Sequence, residues 1–202
     1  MPTIYTIGHS THRIEEFLTL LVTHQIGAVA DVRSAPFSRR HPQFTRANLE
    51  RSLHTAGIAY HFFGRELGAR TEDASCYSNG KVQYERIAQT TNFREGIARL
   101  VALLDASPPL AILCAEKDPL QCHRTILVSR HLAAHGVNVI HIHADATLEP
   151  HEHLMQRLIA QLRIPPEDMF RTAADVIDDA YRIQGNRIAY TRSTAQGDIM
   201  NP

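Results

Sequence analysis

Leu110-Ala111-Ile112-Leu113-Cys114-Ala115-Glu116-Lys117-Asp118-Pro119-Leu120-Gln121-Cys122-His123-Arg124 reads as a buried strand, a short polar loop and the opening of a helix. Asp118 is a good N-cap, Pro119 suits the first helical position, and Gln121 stands where a capping-box partner reaches back. On this reading Cys122 and His123 lie at the positive end of a helix dipole, which favours anions and thiolates. Cys114 closes the strand before it.

Working outward, strands and helices alternate. Ile4 to Gly8 predicts a strand. Ser10 or Thr11 then caps a helix with an apolar face of Ile14, Phe17, Leu18, Leu21 and Val22. Ala28 to Val32 is a second strand, Thr45 to Ala56 a helix closed by Gly57, and Ile58 to Phe63 a third strand. Gly64 to Val82 has no clean period and reads as a long loop or lid. Asn92 with Glu95 opens a helix reaching Leu104. Leu110 to Cys114 is the fourth strand, Gln121 to His135 the next helix, and Val137 to Ile142 the fifth strand. From about Glu149 the chain reads as helical, broken at Pro165-Pro166 and restarted by Thr172 with Asp175.

This alternation predicts an α/β fold, a Rossmann-like parallel sheet of about five strands flanked by helices, with a C-terminal helical extension. Residues 1–148 form the sheet domain. Residues 149–202 form the extension, packed on it within a single globular unit.

Composition narrows the partners. The 202 residues carry 21 basic and 21 acidic side chains, so no global charge points to nucleic acid or to a membrane. Lys81 and Lys117 are the only lysines among those bases, and arginine supplies the rest. Codon bias or selection for anion recognition would each give that skew. No apolar run reaches the length of a membrane span, and the N-terminus lacks a signal-peptide layout. Three cysteines do not make a disulfide framework in a chain of this size. A cytoplasmic protein with reduced thiols is expected.

Ligands of open parallel sheets bind beyond the carboxyl ends of the strands, where strand order reverses. The first strand ends in Gly8-His9-Ser10, the second in Asp31-Val32-Arg33-Ser34, the fourth in Cys114-Ala115-Glu116. An order 3-2-1-4-5 makes the first and fourth strands neighbours. One crevice then gathers His9, Ser10, Cys114, Glu116 and the Cys122 helix, with Asp31 and Arg33 at its edge. Taken singly, each residue has a plainer role. Cys114 could be a small buried hydrophobe, His123 a surface histidine, Arg124 a cover for a helix flank, Ser10 a cap, and Asp31 and Arg33 a structural pair.

Arg33, Arg39, Arg40, His41 and Arg46, interleaved with Phe37 and Phe44, could neutralise phosphates and stack on bases. The alternative is a solvated loop with both aromatics tucked into the core. His141 and His143 share a strand face, but His151 and His153 point apart on a helix. No metal site is assigned there. The sequence contains no Gly-x-Gly-x-x-Gly and no Walker loop, and the spacing of Cys114 and Cys122 fits neither a Cys-x-x-Cys pair nor a cysteine-phosphatase loop.

Several motifs together resemble the domain-of-unknown-function family 488. They are Thr6-Ile7-Gly8-His9-Ser10, Asp31-Val32-Arg33 with Pro36 and Ser38, Cys114-Ala115-Glu116, Cys122-His123-Arg124, and the tail from Phe170 to Tyr190 with its Ala180-Tyr181-Arg182-Ile183-Gln184-Gly185 run. The resemblance covers nearly the whole chain. It implies an α/β fold and a cytoplasmic protein, and it adds no reaction.

The expected function is that of an enzyme acting on an anionic substrate, a nucleotide or nucleic acid. Cys122 is the thiolate candidate, with Cys114, and Asp31 or Glu116 supplies acid/base chemistry. His9, Ser10, Arg33, Ser38, His123 and Arg124 bind the anion. No cofactor is predicted and no membrane partner is expected. The rival reading is a non-catalytic module that senses a thiol reagent or a metal through Cys114, Cys122 and His123.

Overall fold

The strand Leu110–Cys114 is buried along its whole length because it runs through the middle of the sheet. In the computed structural model, which describes residues 1–106, 109–165 and 171–192, it is the sixth strand along the chain. The sheet contains β1 (Thr3–Gly8), β2 (Ala28–Asp31), β3 (Ala59–Phe62), β6 (Leu110–Cys114), β7 (Asn138–Ile142) and β8 (Leu148–Pro150). A separate ribbon pairs β4 (Tyr77–Ser78) with β5 (Lys81–Val82).

The order in the main sheet is β3-β2-β6-β1-β7-β8. All neighbours are parallel except β8, which returns antiparallel along β7. The Rossmann-like α/β architecture is therefore as read from the sequence, with two differences. One antiparallel edge strand is added. The fourth of the expected strands also sits between the first and the second, not outside the first.

Alternation along β6 sends Leu110, Ile112 and Cys114 into one apolar cluster and Ala111 and Leu113 into the other. On the second face lie α1 (Ile14–Thr23), with Phe17 and Leu21, and α2 (Arg46–Thr55), with Leu49 and Leu53. On the first face lie α3 (Tyr84–Gln89), α4 (Thr91–Ala106), α5 (Arg130–Ala134), α6 (His151–Leu162) and α7 (Ala173–Ile188). Leu154, Met155, Leu158, Ala180 and Tyr181 of α6 and α7 belong to the same cluster as the strands they cover. Among the described residues no helix is long and apolar enough to cross a membrane.

Local departures from expectation have identifiable causes. Helix α1 starts later than Ser10 or Thr11. Ser10 is left-handed (φ 48°) and donates its N–H to the Ala115 carbonyl at 2.8 Å, so it extends the ladder instead of capping. Glu16 instead accepts the Arg13 N–H at 2.9 Å, which makes Arg13 the cap. The expected lid contains a hairpin: Asn79 and Gly80 both have positive φ, 50° and 74°, as a two-residue type I′ turn requires. Thr172 and Asp175 do form the reciprocal cap that opens α7, at 2.8 Å and 3.2 Å. Pro166 and Phe170 lie outside the described residues.

Candidate active site at the strand ends

The helix expected to open at Cys122 is broken into three parts. Asp118 caps only the single turn Pro119–Gln121, through the Leu120 N–H at 3.0 Å. Cys122 is then extended (φ −136°, ψ 140°). The helix restarts behind it as a π-helical turn, Arg124–Ser129, which continues into α5. Cys122 itself caps this second start. Its carbonyl accepts from Thr125 and Ile126, and its Sγ accepts the Arg124 N–H at 3.4 Å. The thiol thus meets a helix N-terminus, but from a buried position.

Strands β1 and β6 end together. Gly8 pairs with Cys114, and the His9 N–H continues the ladder to the Cys114 carbonyl at 3.0 Å. Because β6 also borders β2, the Val32 N–H reaches the Leu113 carbonyl at 3.1 Å. Three strand ends therefore converge. Gly8 makes this possible, since a Cβ there would lie 1.8 Å from the Glu116 carbonyl oxygen and 2.9 Å from Nη1 of Arg124. Arg124 is fully buried and does not line the cavity. Its Nη1 donates to the Glu116 carbonyl at 2.6 Å and its Nη2 to that of Lys117 at 3.3 Å. These two bonds brace the loop that carries Glu116.

The reactive groups meet at the end of β6. Nε2 of His123 donates to the Val32 carbonyl at 3.1 Å, which leaves Nδ1 as the acceptor of the neutral ring. Nδ1 faces Cys114 Sγ at 3.6 Å and Cys122 Sγ at 4.0 Å. The Cys114 thiol donates to Oε2 of Glu116 at 3.2 Å. Burial acting alone would raise the Glu116 carboxyl. The hydrogen bonds from the Cys122 and Cys114 thiols outweigh burial and hold it below its ordinary value.

The two cysteines are both buried but differ in their access to the cavity. Burial, reinforced by the adjoining Cys114, pushes the Cys122 thiol well above its ordinary value, although Arg124 pulls the other way. Cys122 is not at the cavity wall, whereas Cys114 is. A helix start lowers a thiol only where that thiol is not also desolvated, and at Cys122 desolvation wins.

Asp31 and Arg33 form the plainer of the two arrangements weighed for them. Nε and Nη2 of Arg33 fork onto Oδ1 and Oδ2 of Asp31 at 2.8 Å and 2.6 Å, and Nη1 donates to the Phe44 carbonyl at 2.8 Å. Tyr60 adds its hydroxyl to Oδ2 at 2.8 Å. Asp31 is fully buried, hydrogen-bonded at both oxygens and absent from the cavity wall. Arg33 does line the cavity, with three of its five N–H groups already engaged.

The cavity above these groups measures about 790 Å³. Cys114, Glu116 and His123 form part of its wall, as do His9, Ser10 and Ser38. Ser38 Oγ accepts the His41 N–H at 3.0 Å, which shapes the rim. The His9 ring stacks on Phe44 with centroids 4.3 Å apart, and its Nδ1 donates to the Ser10 carbonyl at 2.9 Å. Burial, with the Arg33 charge next, holds the His9 imidazole down to about 4. It is therefore a neutral acceptor near neutral pH.

Three cationic residues, Arg33, Arg70 and Lys117, line the cavity against one carboxylate, Glu116. The basic segment splits its two aromatics. Phe44 is fully buried, while Phe37 is 71% exposed at the cavity rim. Arg70 and Tyr190, stacked at 4.5 Å, close the far side. Neither is a site candidate in the sequence: Arg70 lies in the stretch without a clean period, and Tyr190 only closes the tail motif. The Val32 carbonyl left no sequence signal at all, since any residue supplies one.

One family, described as Domain of unknown function DUF488, matches residues 13–131. No curated protein and no solved structure matches the chain.

Proposed function

The chain belongs to the DUF488 family, and for this member we propose an enzyme that acts on an anionic substrate, a nucleotide or nucleic acid, at the carboxyl ends of β1, β2 and β6. One observation carries the reading. His123 and Glu116 both lie within hydrogen-bonding range of the Cys114 sulfur, and all three share the wall of a cavity whose fixed charges are mainly positive. Structural cores rarely place a thiol, an imidazole and a carboxylate together where a ligand can reach them.

Each group has a role. Arg70, Lys117 and the unengaged edge of Arg33 attract the anion. Phe37 at the rim offers a flat apolar surface to a base. Cys114, Glu116 and His123 are the reacting centre that faces the bound anion. Neutral His9 accepts a hydrogen bond from the substrate. Cys122 lies behind this set and Arg124 braces it.

Calorimetric titration with nucleoside monophosphates and a short single-stranded oligonucleotide tests the reading. Binding is expected to weaken as salt rises. Phe37→Ala should weaken it about tenfold, in keeping with loss of one base–aromatic stack. Failure of every nucleotide and oligonucleotide to bind at low salt would end this assignment.

A further inference from the structure

We propose that Cys114, Cys122 and His123 bind a single zinc ion, with a fourth coordination position open to the cavity. Sγ of Cys114, Sγ of Cys122 and Nδ1 of His123 all lie within 4.8 Å of one another. Around one tetrahedral ion, bonds of about 2.3 Å to sulfur and about 2.0–2.1 Å to nitrogen place sulfur and nitrogen about 3.6 Å apart. The two sulfur–nitrogen separations are 3.6 Å and 4.0 Å. Closing the second onto an ion requires a shift of only tenths of an ångström.

The surroundings point the same way. A ligating histidine almost always donates its other ring N–H to a carbonyl or carboxylate, and His123 donates to Val32 at 3.1 Å. Cys122 Sγ already accepts a backbone N–H, from Arg124 at 3.4 Å, so it is solvated as a thiolate is. Arg124 is a fully buried guanidinium whose Nε has no partner, and among the described residues no carboxylate forms a salt bridge with it. A thiolate at Cys122, the sulfur that the Arg124 N–H reaches, would add negative charge near this residue. This also gives Cys122 a function that its burial denies it as a nucleophile.

Two thiols and one imidazole make a ligand set of the catalytic kind, with three protein ligands and one open position. The binding step balances as one zinc dication and two thiols giving a dithiolate complex and two released protons. Glu116 lies beside Cys114 on the cavity side, outside the trio. Bound zinc would supply Lewis-acid chemistry at that open position, and Glu116 stands where it would hydrogen-bond a group seated there. That role rests on the cavity being a substrate site, whereas the ligand assignment does not.

The test uses the full chain. Elemental analysis is expected to find one zinc per chain. Cobalt substitution should give sulfur-to-cobalt charge-transfer absorption with the intense visible bands of tetrahedral thiolate coordination. Zinc calorimetry in buffers of different ionisation enthalpy should show close to two protons released. Cys114→Ser, Cys122→Ser and His123→Gln should each weaken zinc binding at least hundredfold, and Cys76→Ser should leave it unchanged. A wild-type protein that takes up neither zinc nor cobalt overturns the site whatever the variants do. Zinc retained by the Cys114→Ser/Cys122→Ser double variant overturns it too. Nucleotide titration of metal-free wild type separates a failed substrate reading from a failed metal site.

Discussion

The Val32 carbonyl and Nε2 of His123 are 3.1 Å apart, so the backbone at the end of β2 fixes which ring nitrogen faces the thiols of β6 and the loop beyond. Without that acceptor the ring could carry its proton on either nitrogen. With it, Nδ1 is the acceptor, held 3.6 Å from Cys114 Sγ.

Thiol reactivity should follow access to the cavity. In metal-free protein, Cys114 is expected to react with iodoacetamide before Cys122, because Cys114 is on the wall and Cys122 is behind it. Peptide-resolved mass spectrometry of a time course measures this. Faster labelling of Cys122 would reverse the assignment of the two sulfurs.

Arg33→Lys should destabilise the fold. The fork onto Asp31 and the bond to the Phe44 carbonyl need a planar guanidinium, and lysine cannot reproduce them. A loss on the order of 2 kcal/mol is expected, with a lower Tm by calorimetry. An unchanged Tm would mean that the pair contributes little and that Arg33 is a ligand group first.

Gly8→Ala should be far worse than its one methyl suggests. The added carbon would meet the Glu116 carbonyl at 1.8 Å, a backbone atom that a rotamer change cannot move aside. A cost on the order of 3 kcal/mol or more is expected, with the Glu116 loop displaced. Urea denaturation gives the energy. A near-wild-type midpoint would show that β1 and the loop can separate cheaply.

Acid should weaken the protein before its carboxylates titrate. Thr6, His141, His151 and Tyr181 form a buried chain of hydrogen bonds at 2.8 Å, 3.0 Å and 2.7 Å that ties β1 and β7 to α6 and α7. Burial holds His151 down to about 4 and His141 well below its ordinary 6.5. Burial and Arg33 do the same to His9. Below pH 6.5 the unfolded chain then binds protons that the folded chain refuses, so stability is full above that pH and falls from about 6.5 towards about 4. His9 and His151 each account for a loss on the order of 3 kcal/mol across that window. His123 is shifted upward and opposes them. Denaturant midpoints between pH 7 and pH 5 provide the check, and a flat profile would contradict the burial of these rings.

Strands β1, β2, β6 and β7 were legible because their apolar runs are short, dense and bounded by polar residues. The Thr172–Asp175 cap was legible because it is local chemistry. The adjacency of β1 and β6 followed from the reactive residues crowding both strand ends. What failed was non-local or depended on competition. Nothing in the chain indicates that β6 inserts between β1 and β2. The helix-start signal of Asp118-Pro119 is real but is spent on one turn, because Cys122 must extend before the π-helical turn begins. Asp31 and Arg33 are two residues apart on a strand end and looked equally suited to a ligand or to each other. Only the Phe44 carbonyl and the Tyr60 hydroxyl decide between those roles.

The central place of β6 also dictates when the molecule can form during synthesis. β1 pairs only with β6 and β7, and β2 only with β3 and β6. Until Leu110–Cys114 has been made, the single parallel contact open to the main sheet is β2 with β3. The first strand must meanwhile wait without a neighbour. Such distant pairing slows folding and prolongs the exposure of apolar edges. A chain ended before Leu110 should therefore remain without a cooperative unfolding transition and should self-associate. The full-length protein should gain sheet structure and a closed cavity in one late step, so the chemistry at the strand ends is among the last parts of the molecule to exist.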